Sequence, residues 1–400
     1  MKKTSIIIAF LLVAMMLFGC GDVTDNATTT DKQNSDANST TSANSDKNEE
    51  STDDKYVSLM LNTRTSTKSA SNDEFTYLIK TNYNSSDQGH VIIKDYHGNG
   101  GAVTIPETLD GYPVVVLYNS AFAGRSDVTD ISFPSTLREI SFDDFSGGKN
   151  EQLLKDTGWF KSLPDGFYYA NKVAIGYKGA IPADTTFEIR EGTVAVADSA
   201  FQFDGSENIT NIILPDSIRY LSTYALSGTS IKEVTVKKEW QEYKDSFTHC
   251  HKLKKVIFEE GITKTLGGFK QCYKLSEIVL PSTLETIGKC SFMDNPCLKS
   301  ITMPDNLRYI EDRAFEGCSL TQVQLNRGLY SIGEAAFSDC TELTELYVPR
   351  SVKDLGQHPY GFKGIENDKK IDGFTLYVEA DSLALQRAQA DGLNYQLAQS

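Results

Sequence analysis

Five His and seven Cys in 400 residues leave little material for a metal centre or a thiol–imidazole pair. Cations are also in deficit. Lys and Arg number 39 against 54 Asp and Glu, for a net charge of −15. Neutralising phosphates requires clustered cations, so the balance excludes nucleic acid as a partner. Long apolar runs are missing as well. The longest, residues 6–17, is about a dozen residues, short of the ~20 a membrane-spanning helix needs. No C-x-x-C, H-E-x-x-H, G-x-S-x-G or EF-hand loop occurs. Gly98-Asn-Gly-Gly101 is not followed by a helix opening on Lys-Ser/Thr, so it reads as a turn and not as a phosphate loop. Catalytic residues, metal ligands and cofactors are accordingly expected to be none.

What is present begins with a targeting segment. Lys2 and Lys3 precede the apolar run, which ends at Leu17-Phe18-Gly19-Cys20. Residues 1–19 read as a signal peptide. The four-residue end resembles a bacterial lipobox, which implies that the Cys20 thiol is acylated and becomes the mature N-terminus. Acyl chains bind a bilayer by ~0.8 kcal/mol per buried methylene. An ordinary secretory signal with an incidental Cys is the competing reading. Residues 20–72 are dominated by Ser, Thr, Asn and Asp. So little apolar surface cannot offset ordering entropy. The segment reads as a lipid-anchored disordered tether with a reach of roughly 40 Å as a coil, long enough to favour a Gram-positive envelope. Residues 73–102 are expected to form N-terminal cap strands.

From 103 to 373 the chain repeats itself. The residues opening successive short strands are Ile212, Val234, Val256, Ile278, Ile301, Val323 and Leu346, spaced by 22, 22, 22, 23, 22 and 23. Phe247, Phe269, Phe292, Phe315 and Phe337 form a second column in phase with the first. In the unit from Leu298 to Cys318, Ile301 and Met303 share one strand face. Pro304 ends that strand. Leu307 and Ile310 then return apolar groups to the same interior, and Phe315 fills it from the far side. One coil cannot bury such a stripe alone, whereas coils stacked at ~4.8 Å bury it continuously. About ten units fit between Val103 and Phe362. The expected fold is a β-rich solenoid, a right-handed stack of these coils. Residues 147–185 break the period and read as an insertion with a hairpin or short helix, packed on the side of the stack. Residues 374–400 read as a last strand and a capping helix, with Asp381 or Ser382 as N-cap and Gly392 as the stop.

Ile278-Val-Leu-Pro281-Ser-Thr-Leu284-Glu-Thr-Ile287-Gly288 and Ile332-Gly333-Glu-Ala-Ala336-Phe337-Ser-Asp-Cys340 resemble the BspA-type bacterial leucine-rich repeat, also known from treponemal surface proteins. The likeness runs over about residues 88–395. It departs at Leu226, which replaces the Phe, and at Trp240-Gln-Glu-Tyr243, which lacks the Pro. The resemblance implies a non-catalytic surface lipoprotein that binds or adheres to host, matrix or neighbouring-cell ligands. A structural or scaffold role is the alternative, with an enzyme or glycan-acting accessory a distant third. The chain is expected to act as a monomer.

Cys250, Cys272, Cys318 and Cys340 each stand three residues after the column Phe, and read as small buried hydrophobes without bridges. Alternation puts Cys250 inward and His249 and His251 outward. His90, His97 and His358 read as isolated surface or loop residues. A ligand-binding patch is expected where two residues per coil must face solvent. These are Arg308, Tyr309, Tyr330 and Lys353, near neighbours once coils stack; the competing reading is ordinary cross-coil packing of solvated side chains, with Arg308 lying over Tyr330 as a cation–π pair. Thr302, Gln324 and Tyr347 on the strand face are the other available surface.

Overall fold

The computed structural model describes residues 65–82, 89–141, 153–203, 205–364 and 369–398. The signal segment, Cys20 and most of the tether lie outside them. Among the described residues no helix is long and apolar enough to cross a membrane. The fold is a β-solenoid of about 13 turns with few helices. That exceeds the ten or so units counted between Val103 and Phe362, and the parallel sheet continues beyond them through Thr375–Val378 and Asn394–Leu397.

The N-terminal part is an antiparallel meander, Thr65–Ser71 on Phe75–Asn82 on Gly89–Tyr96. Its first strand lies inside the segment read as tether. Ser and Thr leave that strand largely exposed, so no hydrophobic pattern announces it, and pairing holds it through the backbone. The pairing then turns parallel. Tyr112–Tyr118 joins Gly89–Tyr96, and Glu139–Ser141 joins Tyr112–Tyr118. Within residues 147–185 a one-turn helix, Gly158–Ser162, precedes the hairpin of Gly166–Ala170 and Val173–Lys178. The second hairpin strand pairs parallel to Ala195–Val196, which pairs in turn with Tyr220–Leu221. The hairpin is therefore part of a coil sheet and is not a side attachment. A strand that supplies the right edge is incorporated whatever the period of its sequence.

Further on, both columns are in place. Val234 pairs with Val256 and Val256 with Ile278, while Ile301 pairs with Val323 and Leu346 with Leu376. A second parallel sheet runs through Thr286–Ile287, Tyr309–Ile310, Ser331–Ile332 and Asp354–Leu355. Between the sheets the five Phe rings are fully buried and stack at 4.9, 6.1, 5.6 and 5.3 Å between centroids. Leu226 occupies the column in place of a ring, and Trp240 stacks on Phe247.

The cysteines do more than fill space. Each buried thiol donates to the carbonyl of the column residue one coil back: Cys250 to Leu226, Cys272 to Phe247, Cys318 to Phe292 and Cys340 to Phe315, at 3.1–3.2 Å. All four are unbridged. Asn295 stands at the same position of its own coil, and its amide donates to Phe269 O at 2.9 Å. A mixed thiol and amide ladder thus satisfies a row of buried carbonyls.

Each turn is made by left-handed residues two positions before the column residue. They are Ser199, Tyr224, Asp245, Gly267, Cys290, Arg313, Ala335 and His358, with φ from 43° to 90°. The tight position in the Leu298–Cys318 unit is therefore Arg313, and the small Ala314 is simply buried. His90 and His358 are buried, contrary to the sequence reading. His90 lies within a strand pair, where burial pushes its pKa down to about 4, and His358 stacks on Phe362.

At the C-terminus Ser382 caps the helix Leu383–Asp391 by accepting from Leu385 N, and left-handed Gly392 ends it. The helix is not the last element. Asn394–Leu397 returns to pair parallel with Thr375–Val378. Its four residues are all exposed, which removes the alternation that would mark a strand.

Candidate functional site

The second parallel sheet positions the solvent-facing residues between Leu307 and Ile310 and their equivalents. Leu307 and Ile310 are buried, so Arg308 and Tyr309 must point out. Tyr330 N bonds to Arg308 O and Lys353 N to Tyr330 O, each at 2.8 Å, which makes Arg308, Tyr330 and Lys353 one column across three coils. Tyr309 belongs to the next column, in register with Thr286, Ser331 and Asp354. The structure thus brings the four expected residues onto one face.

Their contacts differ from the Arg308–Tyr330 stacking of the competing reading. The Tyr330 ring meets Tyr309 edge to face, with centroids 5.9 Å apart at 62°. Arg308 Nη1 donates to Gly328 O at 3.2 Å, and Lys353 Nζ to Arg350 O at 2.9 Å. Turn carbonyls are thus the partners these two cations take. Both rings stay open to solvent, with 44% and 48% of their residue surface exposed. The strand face is plainer: Thr302 and Gln324 are exposed, but Tyr347 is hydrogen bonded to Glu379.

Beside Tyr309 lies a cleft of about 350 Å³ that the sequence reading missed. Thr286, Tyr309, Ser331 and Asp354, in register on successive coils, line it together with Lys289, Glu311 and Asp312. Its origin is local. The residue after the inward apolar anchor is Gly in three coils, at Gly288, Gly333 and Gly356, the anchors Ile287 and Ile332 being buried and Leu355 half-buried. A Cβ there would sit 2.1 Å from Thr265 O, 2.5 Å from Asp312 N and 2.1 Å from Glu334 N, respectively. Close approach of neighbouring coils therefore excludes a side chain, and Gly333 and Gly356 line the cleft with bare backbone. The repeated apolar-Gly pair, Ile287-Gly288, Ile332-Gly333 and Leu355-Gly356, was the available signal.

The cleft's carboxylates are partly engaged. Glu311 pairs with Lys264 Nζ at 2.6 Å and accepts from Lys289 N at 3.0 Å. Asp312 Oδ1 accepts from Glu334 N at 2.8 Å, and Asp354 Oδ2 from Ser331 Oγ at 2.9 Å. Elsewhere, His251 is exposed as expected, whereas His249 is half-buried and burial holds its pKa down at about 4. The His251 ring lies flat on exposed Tyr273 at 5.0 Å. Gly98 to Gly101 is a turn pinned by the Arg125 guanidinium, which donates to Tyr96 O and Gly98 O. Among the described residues no group of three or more His, Cys, Asp or Glu is arranged to hold a metal ion.

The model of the BspA type leucine rich repeat region matches in six copies, over residues 103–171, 184–268 and 265–371. The chain belongs to that family. Solved structures similar to this BspA-type protein are bacterial leucine-rich repeat proteins. A leucine-rich cell surface protein of Faecalibacterium prausnitzii shares 15% identity, covering 84% of this chain and 96% of that one, with a TM-score of 0.34. A leucine-rich repeat protein of Bacteroides ovatus shares 19% over 82% and 100%, with a TM-score of 0.33. The pneumococcal vaccine antigen PcpA shares 14% over 83% and 99%, with a TM-score of 0.37. No curated protein matches the chain. The family and fold are those of repeat proteins, typically non-enzymatic.

Proposed function

We propose that this BspA-type protein is a lipid-anchored binding protein of the bacterial cell surface, holding host, matrix or neighbouring-cell ligands without chemistry. The observation that carries the reading is the exposed Tyr309–Tyr330 pair flanked by Arg308 and Lys353. Tyr and Arg are enriched among residues that dominate binding energy, and rings left half in water have surface still to bury. Membership of the BspA-type family supports the location. The signal segment, Cys20 and the Ser/Thr-rich tether support an anchor, with a Gram-positive envelope matching the tether's length. The partner is a protein or glycan outside the cell, engaged by a monomer.

An array of matrix proteins, host-cell proteins and glycans probed with the full-length protein tests the binding role. Tyr309→Ala/Tyr330→Ala should then weaken the ligand found by tenfold or more, about 1.4 kcal/mol. An array without a specific ligand would favour a scaffold role. Cys20→Ser should release the protein from membranes, and retention of the cleaved variant there would refute the lipid anchor.

A further inference from the structure

We propose that the cleft beside Tyr309 is a carbohydrate subsite, taking a short stretch of a neutral glycan laid across the coils. The proposal rests on the surface-binding reading and gives it a ligand class. A sugar ring presents an apolar C–H face and a rim of hydroxyl donors and acceptors. The cleft offers the complement of both. Tyr309, nearly half exposed, supplies an aromatic surface. Asp354, Asp312 and Glu311 supply carboxylate acceptors, and Ser331 and Thr286 supply hydroxyls.

Those carboxylates are already oriented as hydrogen-bond acceptors. Glu311 is already neutralised by Lys264, Asp312 is held by a backbone N–H, and Asp354 accepts from Ser331. Each is thereby fixed in orientation with acceptor capacity to spare. Acceptors fixed in this way suit hydroxyl donors, and hydrogen bonds from neutral donors to charged acceptors are the strong kind. The length agrees as well. Thr286, Tyr309, Ser331 and Asp354 lie on four successive coils, a run of about 14 Å at the usual strand spacing, or roughly three sugar rings. The floor cannot close over, because Gly333 and Gly356 have no room for a side chain.

The test is isothermal titration of the full-length protein with cellotetraose, chitotetraose and xylotetraose at millimolar concentration. At least one should bind. Ser331→Trp, which fills the cleft, should abolish that binding. Asp354→Ala should weaken it by about tenfold or more. Tyr309→Phe should retain binding while Tyr309→Ala loses it. Far-UV dichroism and thermal unfolding identify any variant that misfolds, and the exposed Asp354 site keeps the test open if Ser331→Trp does. Absence of heat with all three sugars, or binding that survives both Ser331→Trp and Asp354→Ala, overturns the proposal. If the array returns a protein ligand while these sugars stay silent, the subsite is wrong and the surface-binding reading stands. Silence in both experiments removes both.

Discussion

Replacing Phe315 by Ala measures how far the solenoid depends on its aromatic column. The ring is fully buried between Phe292 and Phe337, stacked at 5.6 and 5.3 Å with interplanar angles of 21° and 10°. Its removal forfeits the transfer energy of a phenyl group and leaves a cavity that two flanking coils cannot collapse around. Phe→Ala changes of this kind cost about 3–5 kcal/mol. Lost ring–ring contacts, about 0.5–1.5 kcal/mol each, favour the upper half of that range. In a repeat array each coil contacts its neighbours, so the damage should be local. Native-state hydrogen exchange is the suitable assay. The amides of Phe292, Phe315 and Phe337, which bond to Ala314, Ala336 and Pro359, should exchange roughly a hundredfold faster or more. Amides of the strand Phe75–Asn82 should keep their rates. A change below about fivefold at the column, corresponding to less than ~1 kcal/mol, would refute the claim that the rings carry the stack. An equal loss everywhere would refute the local coupling.

Three further outcomes follow from the corners of the coils. Asn295→Ala strips the side-chain donor from the buried carbonyl Phe269 O, while Phe292 O keeps the Cys318 thiol, and should cost about 1–3 kcal/mol by chemical denaturation. Asn295→Cys, which restores the ladder thiol and removes a buried unpaired amide oxygen, should recover most of that loss. Burial pushes the Cys250 and Cys318 thiols up to about 12 and Cys272 and Cys340 well above their usual value, so half-buried Cys297 should react with a thiol reagent at pH 8 long before these four. Burial, and secondarily Asp294 and Asp339 against the opposing Arg313, lifts the Glu316 carboxyl to about 7. A carboxyl raised in the folded state adds stability that is full below its unfolded pKa and is lost as pH rises through the folded one. Relative to Glu316→Gln, wild-type stability should therefore fall between pH 4.5 and about 7, on top of the rise that buried, neutral His90 and His249 give both proteins, and Glu316→Gln should be the more stable at pH 8, by at most about 3 kcal/mol. Parallel profiles for the two proteins would refute this assignment.

The interior was legible because its residues recur. A column such as Phe292, Phe315 and Phe337 declares itself by period alone, as do the buried strand residues Val256, Ile301 and Leu346. Elements held by backbone pairing were not legible. Thr65–Ser71 and Asn394–Leu397 carry no buried stripe, and the hairpin Gly166–Lys178 joins a coil sheet without the repeat's motif. The patch residues could be placed on one face from the period, but not their contacts. Those depend on where turn carbonyls such as Gly328 O and Arg350 O fall, which is three-dimensional information. The cleft was hidden for a related reason: it is made by the side chains that Gly333 and Gly356 do not have.

The turns show why the repeat tolerates such varied corners. A non-glycine residue in the left-handed region costs ~1–2 kcal/mol, yet Ser199, Tyr224, Asp245, Arg313, Ala335 and His358 all adopt it at equivalent places. Little in those residue types asks for the conformation. It is imposed from both sides. The column residue two positions later is locked in the core, and from Cys250 to Cys340 a buried thiol or amide at the following corner grips the carbonyl one coil back. With the backbone so over-determined, the corner side chains are released from folding duty and can vary. The same holds for Arg308, Tyr309, Tyr330 and Lys353, which project from a sheet whose register is fixed by Leu307, Ile310 and Ile332. A surface freed in this way can change its ligand without changing its fold, which is the physical basis for reading a solenoid of this kind as a binding protein.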